Sequence, residues 1–255
     1  MLRLQEAGAH ALDLDGVSRH FGALVALSSV TMRIAAGGRR AVLGSNGAGK
    51  TTLFNAITGE FPLSAGRIRF FGEDVTDLPP HERIRRGLRR TYQISQLFRG
   101  LSVCDSVFLA CRGVTRRRFS LARPGPSDVN MAQALSLLEA VHLEGERDAL
   151  VATLSHGRQR QLEIALALAG APRFILFDEP AAGLSPAERS DLVAILNALP
   201  KHIGFIIIEH DLDVALRVAD YVSIMHDGRL FKEGSPAEIE NDPDVQRIYL
   251  GERHG

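Results

Sequence analysis

The sequence predicts an α/β protein: a parallel sheet with helices on both faces and a helical lobe set into it. Three observations carry that prediction. Beyond residue 158, short apolar runs alternate with helical patterns, as strands buried between two helical layers do. Between residues 40 and 58 an apolar run, a glycine-rich loop and a helical pattern follow one another. From about Leu101 to Leu154 β-branched runs are scarce, and two helical stretches stand in their place.

Taken in order, Leu12–Val17 and Val30–Ile34 alternate as strands, with Phe21 in the turn between them. Arg40–Leu43 is a strand ending in Gly44, and Thr51–Thr58 reads as the helix after the loop. Arg67–Phe71 is a further strand, stopped by Gly72. The middle lobe holds helices at Val103–Cys111 and Val129–Ala140, joined by Arg116–Ser127 with its Pro124, Gly125 and Pro126. The core then resumes with helix Arg158–Ala169, strand Phe174–Phe177, helix Pro186–Leu199, strand Phe205–Ile208, helix Leu212–Ala219 and strand Tyr221–Met225.

Composition narrows the classes. At 255 residues and 45% hydrophobic, the chain can bury a large core or a core with an inserted lobe. Thirty basic side chains balance thirty acidic ones, so bulk electrostatics gives a nucleic-acid partner no support. Cys104 and Cys111 lie seven apart on one helix, too far for a disulfide, and read as reduced packing thiols. Residues 1–10 lack the apolar segment of a secretory signal, and no run approaches the roughly 18 apolar residues of a membrane span. A role at a membrane therefore requires docking onto other chains.

The loop Gly44-Ser45-Asn46-Gly47-Ala48-Gly49-Lys50-Thr51-Thr52 fits G-x-x-x-x-G-K-[ST]. Its glycines let the backbone wrap closely enough for successive N–H groups to face phosphates, and the following helix adds its positive end. In that pattern Lys50 reaches the β- and γ-phosphates of ATP and the Thr51 hydroxyl ligates magnesium. The competing reading is a glycine-rich turn with a surface lysine. Only three lysines stand against 27 arginines here, and the loop lies between strand and helix, so the phosphate reading prevails.

Arg173–Phe177 is an apolar strand that ends in Asp178 and Glu179. Two acids at the C-terminal edge of a parallel strand stand where ligands bind in doubly wound sheets. Asp178 would hold magnesium through its water shell, and Glu179 would polarise the attacking water. A second apolar run, Ile206–Ile208, delivers His210 to the same edge, within reach of a γ-phosphate. Solvated strand-end acids and a structural histidine are the bland alternatives; the phosphate loop upstream weighs against both. These motifs together read as a P-loop ATPase.

The stretch Leu154-Ser155-His156-Gly157-Arg158-Gln159-Arg160-Gln161 resembles the LSGGQ signature of ABC ATPases, and it falls between the loop and the acidic strand as it does there. Gln93 resembles that family's Q-loop glutamine, His210 its switch histidine and Phe21 the aromatic that stacks on adenine. Within the family, Arg90–Phe98, Leu154–Leu168, Glu179–Pro186, Ile208–Asp211 and Asp242–Gly251 are similar to the LivG-type subunits of branched-chain amino-acid importers. Three positions depart from the family pattern. His156 stands where the signature carries glycine, Arg158 replaces its glutamine, and Ser185 stands where many members have aspartate.

The resemblance implies a P-loop NTPase (RecA-like) core with an N-terminal antiparallel β subdomain and an inserted α-helical subdomain. The core would be residues 1–93 and 158–255, the helical subdomain 94–157. It implies that Gln93 meets the metal and senses the γ-phosphate, and that Ser155 and Gly157 touch nucleotide. It further implies a head-to-tail dimer with a second ATPase subunit, either a copy or a paralogue, sandwiching two nucleotides. Two transmembrane permease subunits and, indirectly, a periplasmic solute-binding protein would complete the machine. The chain would then lie peripherally on the cytoplasmic face of the inner membrane, its lobe near Leu97–Val107 against the permeases. Arg116-Arg117-Arg118 could touch lipid headgroups, though a solvated surface is the plainer reading.

Rival functions fit less well. ABC ATPases that work on ribosomes or DNA carry two cores or a long coiled-coil insertion, and this chain has neither. A non-hydrolysing regulator would need neither Glu179 nor His210. Urea or amide importers and the lipopolysaccharide-export ATPase are the nearest alternatives within transport.

Overall fold

The computed structural model describes residues 10–92, 97–113 and 128–246. The chain opens with two long arms, β1 (His10–Phe21) and β2 (Leu24–Ala35), then β3 (Arg39–Leu43) and α1 (Lys50–Thr58). There follow β4 (Ala65–Phe70), β5 (Glu73–Asp74), α2 (Pro80–Arg85) and β6 (Leu88–Arg90). Two helices, α3 (Val103–Gly113) and α4 (Val129–Ala140), form the middle portion and pack on α5 (His156–Leu168). The remainder alternates: β7 (Phe174–Asp178), α6 (Pro186–Ala198), β8 (Gly204–Ile208), α7 (Leu212–Val218), β9 (Tyr221–His226), β10 (Arg229–Gly234) and α8 (Pro236–Glu240).

These strands make two sheets. One is antiparallel, in the order β2-β1-β4-β5; the other runs β10-β9-β3-β8-β7-β6. Its five strands from β9 to β6 are parallel, and β10 joins antiparallel at the edge. Alternation in the strands splits the core between two layers. Ala41, Leu43, Ile175, Phe177, Phe205 and Ile207 face one way, into a core shared with α5, α6 and α7. Val42, Phe174, Leu176, Ile206 and Ile208 face the other, onto α1 and the antiparallel sheet. Every residue of β7 and β8 is buried, as strands covered on both faces require.

The α/β fold expected from the sequence is the one found. The first two strands run to 12 residues each, at least double their expected lengths, because Arg19, His20 and Phe21 pair with Leu27, Val25 and Leu24 in the hairpin although no apolar alternation marks residues 18–20. Phe21 is the last residue of β1, paired with Leu24, rather than part of the turn. Sequence patterning does not reveal β5, α2, β6, β10 or α8. Strand β6, Leu-Arg-Arg, has no pattern of its own and exists by pairing with β7 from Leu88↔Phe174. The segment Arg116–Ser127 and Gln93 lie outside the described residues.

Two buried arginines close helix ends. The last carbonyls of a helix have no partner within it. Arg83 donates Nη1 to the Ala56 and Ile57 carbonyls at the end of α1, at 2.8 and 2.7 Å, Nε to Leu78 and Nη2 to Thr76, each at 2.8 Å. Arg39 does the same at the end of α6, with Nη2 2.8 Å from the Leu199 carbonyl. Burial brings Arg83 down to about 10, so it is still charged at neutral pH and suits the negative helix end. Replacing Arg83 by Met strands those acceptors, and urea denaturation should show a loss on the order of 3 kcal/mol. Lys in its place should recover less than half, since one ammonium cannot span four carbonyls; full recovery would mean charge alone matters here.

Candidate nucleotide site

The register of the parallel sheet assembles the site. Val42 lies beside Ile208, and Ile208 beside Asp178. The chain leaving each of these strands therefore emerges at one edge, and three loops meet there: 44–49, 179–184 and 209–211. Gly44, Glu179, Glu209, His210 and Asp211 line a cleft of about 780 Å³ that continues to Ile239 and Gln246; Lys50, Thr51 and Asp178 are not among its lining residues.

The first loop is shaped by close approach. A Cβ on Gly44 would lie 2.3 Å from the Met225 carbonyl, and one on Gly49 2.7 Å from that of Ala26. Gly49 also takes φ of 99°, which side chains disfavour. Lys50 is buried, with Nζ donating to the carbonyls of Gly44 and Ser45 at 2.5 and 2.9 Å. Helix α1 has no side-chain cap at its N-terminus. By contrast α4, α5, α6, α7 and α8 are capped by their own Asp128, Ser155, Ser185, Asp211 and Ser235. Its first-turn N–H groups therefore meet no rival anionic or hydroxyl side chain, and the half-buried Thr52 and exposed Thr51 stand beside them.

At the end of β7, Asp178 is 4% exposed and its Oδ2 lies 2.7 Å from the Arg90 guanidinium. Arg90 also holds Asn55 of α1 at 2.6 Å, tying β6 to both helix and acid. Glu179 adopts φ of 48°, and its Oε1 is 2.7 Å from His210 Nε2. Next to them lies Glu209, which sequence reading passed over. It is 2% exposed and accepts the Ala181 N–H at 2.7 Å and the His210 N–H at 3.2 Å. An acid directly after three buried isoleucines was the available signal. Arg90 was missed as well, though it lies three residues before Gln93.

The other expected site residues are placed apart from this cleft. Phe21 is half-exposed at the hairpin tip; its ring meets Phe61 edge-on, and the Arg19 guanidinium lies 4.4 Å from its centroid. Ser155 caps α5 by accepting the Arg158 N–H, and Gly157 sits against Glu188. Both line a smaller pocket between α5 and α6, and neither Lys50 nor Thr51 lines it. Of the three departures, Arg158 donates to His142 at 2.6 Å and pairs with Glu146, anchoring α5 to the segment after α4. Ser185 closes a capping box with Glu188, the N-terminal role that an aspartate would also fill.

A family model described as "ABC transporter" matches residues 27–182. The chain belongs to the ABC transporter family. It is an ATP-hydrolysing transporter subunit with a P-loop NTPase fold. A second model, "Branched-chain amino acid ATP-binding cassette transporter", matches residues 233–255. The ABC chain is 33% identical to the high-affinity branched-chain amino acid transport ATP-binding protein BraF of Pseudomonas aeruginosa, over 94% of this chain and 98% of that one. It is 37% identical to the lipopolysaccharide export system ATP-binding protein LptB of Escherichia coli, over 89% and 91%. An ATP-binding cassette of an ABC transporter solved in its ADP conformation superposes with a TM-score of 0.83 and 30% identity, covering 95% of this chain and 99% of that one. No described helix is long and apolar enough to cross a membrane.

Burial pushes the Glu209 carboxyl up to about 7 from an ordinary 4.5. The folded protein then binds a proton that the unfolded chain releases, so stability falls as pH rises from about 4.5 to about 7 and levels off above. Glu209→Gln keeps the acceptor for Ala181 and has no charge to desolvate. Its advantage over the parent should grow across that window, to something on the order of 3 kcal/mol at pH 8. Urea denaturation at pH 5 and pH 8 measures it, and an equal difference at both would show that Glu209 ionises as readily folded as unfolded.

Proposed function

We propose that this chain is the ATPase of a branched-chain amino-acid importer, working from the cytoplasmic face of the membrane as one of two such subunits. The observation that carries the catalytic reading is the Glu179–His210 pair, 2.7 Å apart, in the cleft that begins at Gly44. Residues 45–52 and the uncapped end of α1 cradle the phosphates, with Lys50 as their charged partner. Phe21 offers its open face to adenine.

Among the described residues no cluster of three His, Cys, Asp or Glu could hold a metal by itself. Magnesium takes few protein ligands and fills its shell with water and phosphate. Thr51 and Asp178 are the residues to hold it, with Gln93 nearby in sequence to Arg90. When bound, it neutralises the β- and γ-phosphate charge. Glu179 orients and deprotonates the attacking water, and His210, by donating to its carboxylate, fixes where that carboxylate points.

In the dimer, Ser155 and Gly157 of one subunit close on the nucleotide of the other, which fits their lining a pocket that Lys50 does not. Residues 1–93 and 158–255 act as the nucleotide core and 94–157 as the lobe that meets two permeases; α3 and α4 of that lobe pack on each other and, across its boundary, on α5. A periplasmic binding protein acts through the permeases. The likeness to LptB favours lipopolysaccharide export as the second reading. The match of residues 233–255 to a branched-chain amino-acid model favours the importer.

Glu179→Gln should retain ATP binding and lower phosphate release at least about a hundredfold, the usual effect of removing a general base. Near-normal turnover would assign the water to another group. The transport reading is tested by uptake of labelled leucine, isoleucine and valine into cells with and without this chain. Uptake should fall for all three; unchanged uptake with failed lipopolysaccharide export would establish the second reading.

A further inference from the structure

The first turn of the signature helix is fastened to the turn that leaves β7. His156, the first residue of α5, reaches across with its ring, and Nε2 lies 3.1 Å from the Ala182 carbonyl oxygen. A carbonyl only accepts, so Nε2 carries the proton in this contact. Gly183, at φ of 76°, makes room for the ring, since a Cβ there would stand 3.1 Å from Nε2. One residue further, Gly157 lies so close to Glu188 that a Cβ would be 2.3 Å from its Oε1. Glu188 is itself fixed by Ser185 in the capping box.

The other side of that turn is the hydrolytic pair. The Ala182 N–H donates to the Glu179 carbonyl at 3.1 Å, and the Ala181 N–H donates to Glu209. Two hydrogen bonds therefore run from the Glu179 backbone to the His156 ring. Glycine, which the LSGGQ pattern has at this position, offers no group to make the second. His156 is exposed, so a lone bond of this kind adds little to folding. Its placement joins two functional segments.

We propose that His156 is a positioning residue for the hydrolytic assembly. It sets the signature turn at a fixed place relative to Glu179 of the same chain. The face that closes on the partner's nucleotide and the chain's own hydrolytic carboxylate then move as one body. This rests on the sandwich dimer proposed above.

The test uses the full chain carrying Glu179→Gln, with dimerisation driven by Mg-ATP and followed by sedimentation. Adding His156→Phe should lower the dimerisation constant about tenfold, equivalent to about 1.4 kcal/mol. ATP affinity of the monomer and nucleotide-free melting temperature should stay at the parent's values. His156→Gln, whose amide N–H can reach the same carbonyl, should recover most of the loss. Equal dimerisation in all three, or equal loss for Phe and Gln, overturns the proposal. Failure of the Glu179→Gln parent itself to dimerise would sink the sandwich reading and this role together, whereas a parent dimer indifferent to His156 sinks only the latter.

Discussion

The register between three parallel strands is the constraint from which the rest follows. Because Val42, Ile208 and Asp178 lie side by side, the loops beyond them share one edge of the sheet. A slip of one residue in β7 would turn Asp178 into a core position and swing Phe177 to the opposite layer. The register is held by apolar faces on both sides, with Phe177 against Phe205 in one layer and Phe174 against Phe70 in the other. Function thus depends on packing that touches no substrate.

Burying helix ends and an acid has costs, and the chain answers them mostly with arginine. Arg83 and Arg39 each satisfy several carbonyls at once, which a fork of fixed geometry can do and an ammonium cannot. Arg90 bridges Asp178 and Asn55, so the acid at the end of β7 and the helix after the phosphate loop are held by one side chain. Lys50 is the exception, a compact charge turned into its own loop.

What the sequence made readable was whatever repeats with a period or obeys a spacing. Strands β7 and β8 are apolar because both faces are covered, and the loop from Gly44 to Thr52 keeps fixed distances between residues of known chemistry. Strand β6 could not be read, since Leu-Arg-Arg owes its form to the neighbour it pairs with. Glu209 is a related case: the isoleucine run before it marks its burial, but its partner is the N–H of Ala181, 28 residues away, which that run does not name. The same holds for His156, whose partner is the carbonyl of Ala182. Periodicity finds elements; contacts between loops have to be seen.

The helix ends draw a further distinction between the two halves of the proposed nucleotide sandwich. Helix α1 leaves its first N–H groups without a side-chain cap, so an arriving phosphate competes with no capping side chain there. Helix α5 is already capped by Ser155, and Glu188 lies against its Gly157. An anion reaching that end must share donors with a carboxylate held in place by its own capping box. A dipole partly satisfied in this way attracts additional charge less strongly. On this account the chain's own loop supplies most of the nucleotide affinity. In the proposed sandwich the partner's signature would then add the weaker contact.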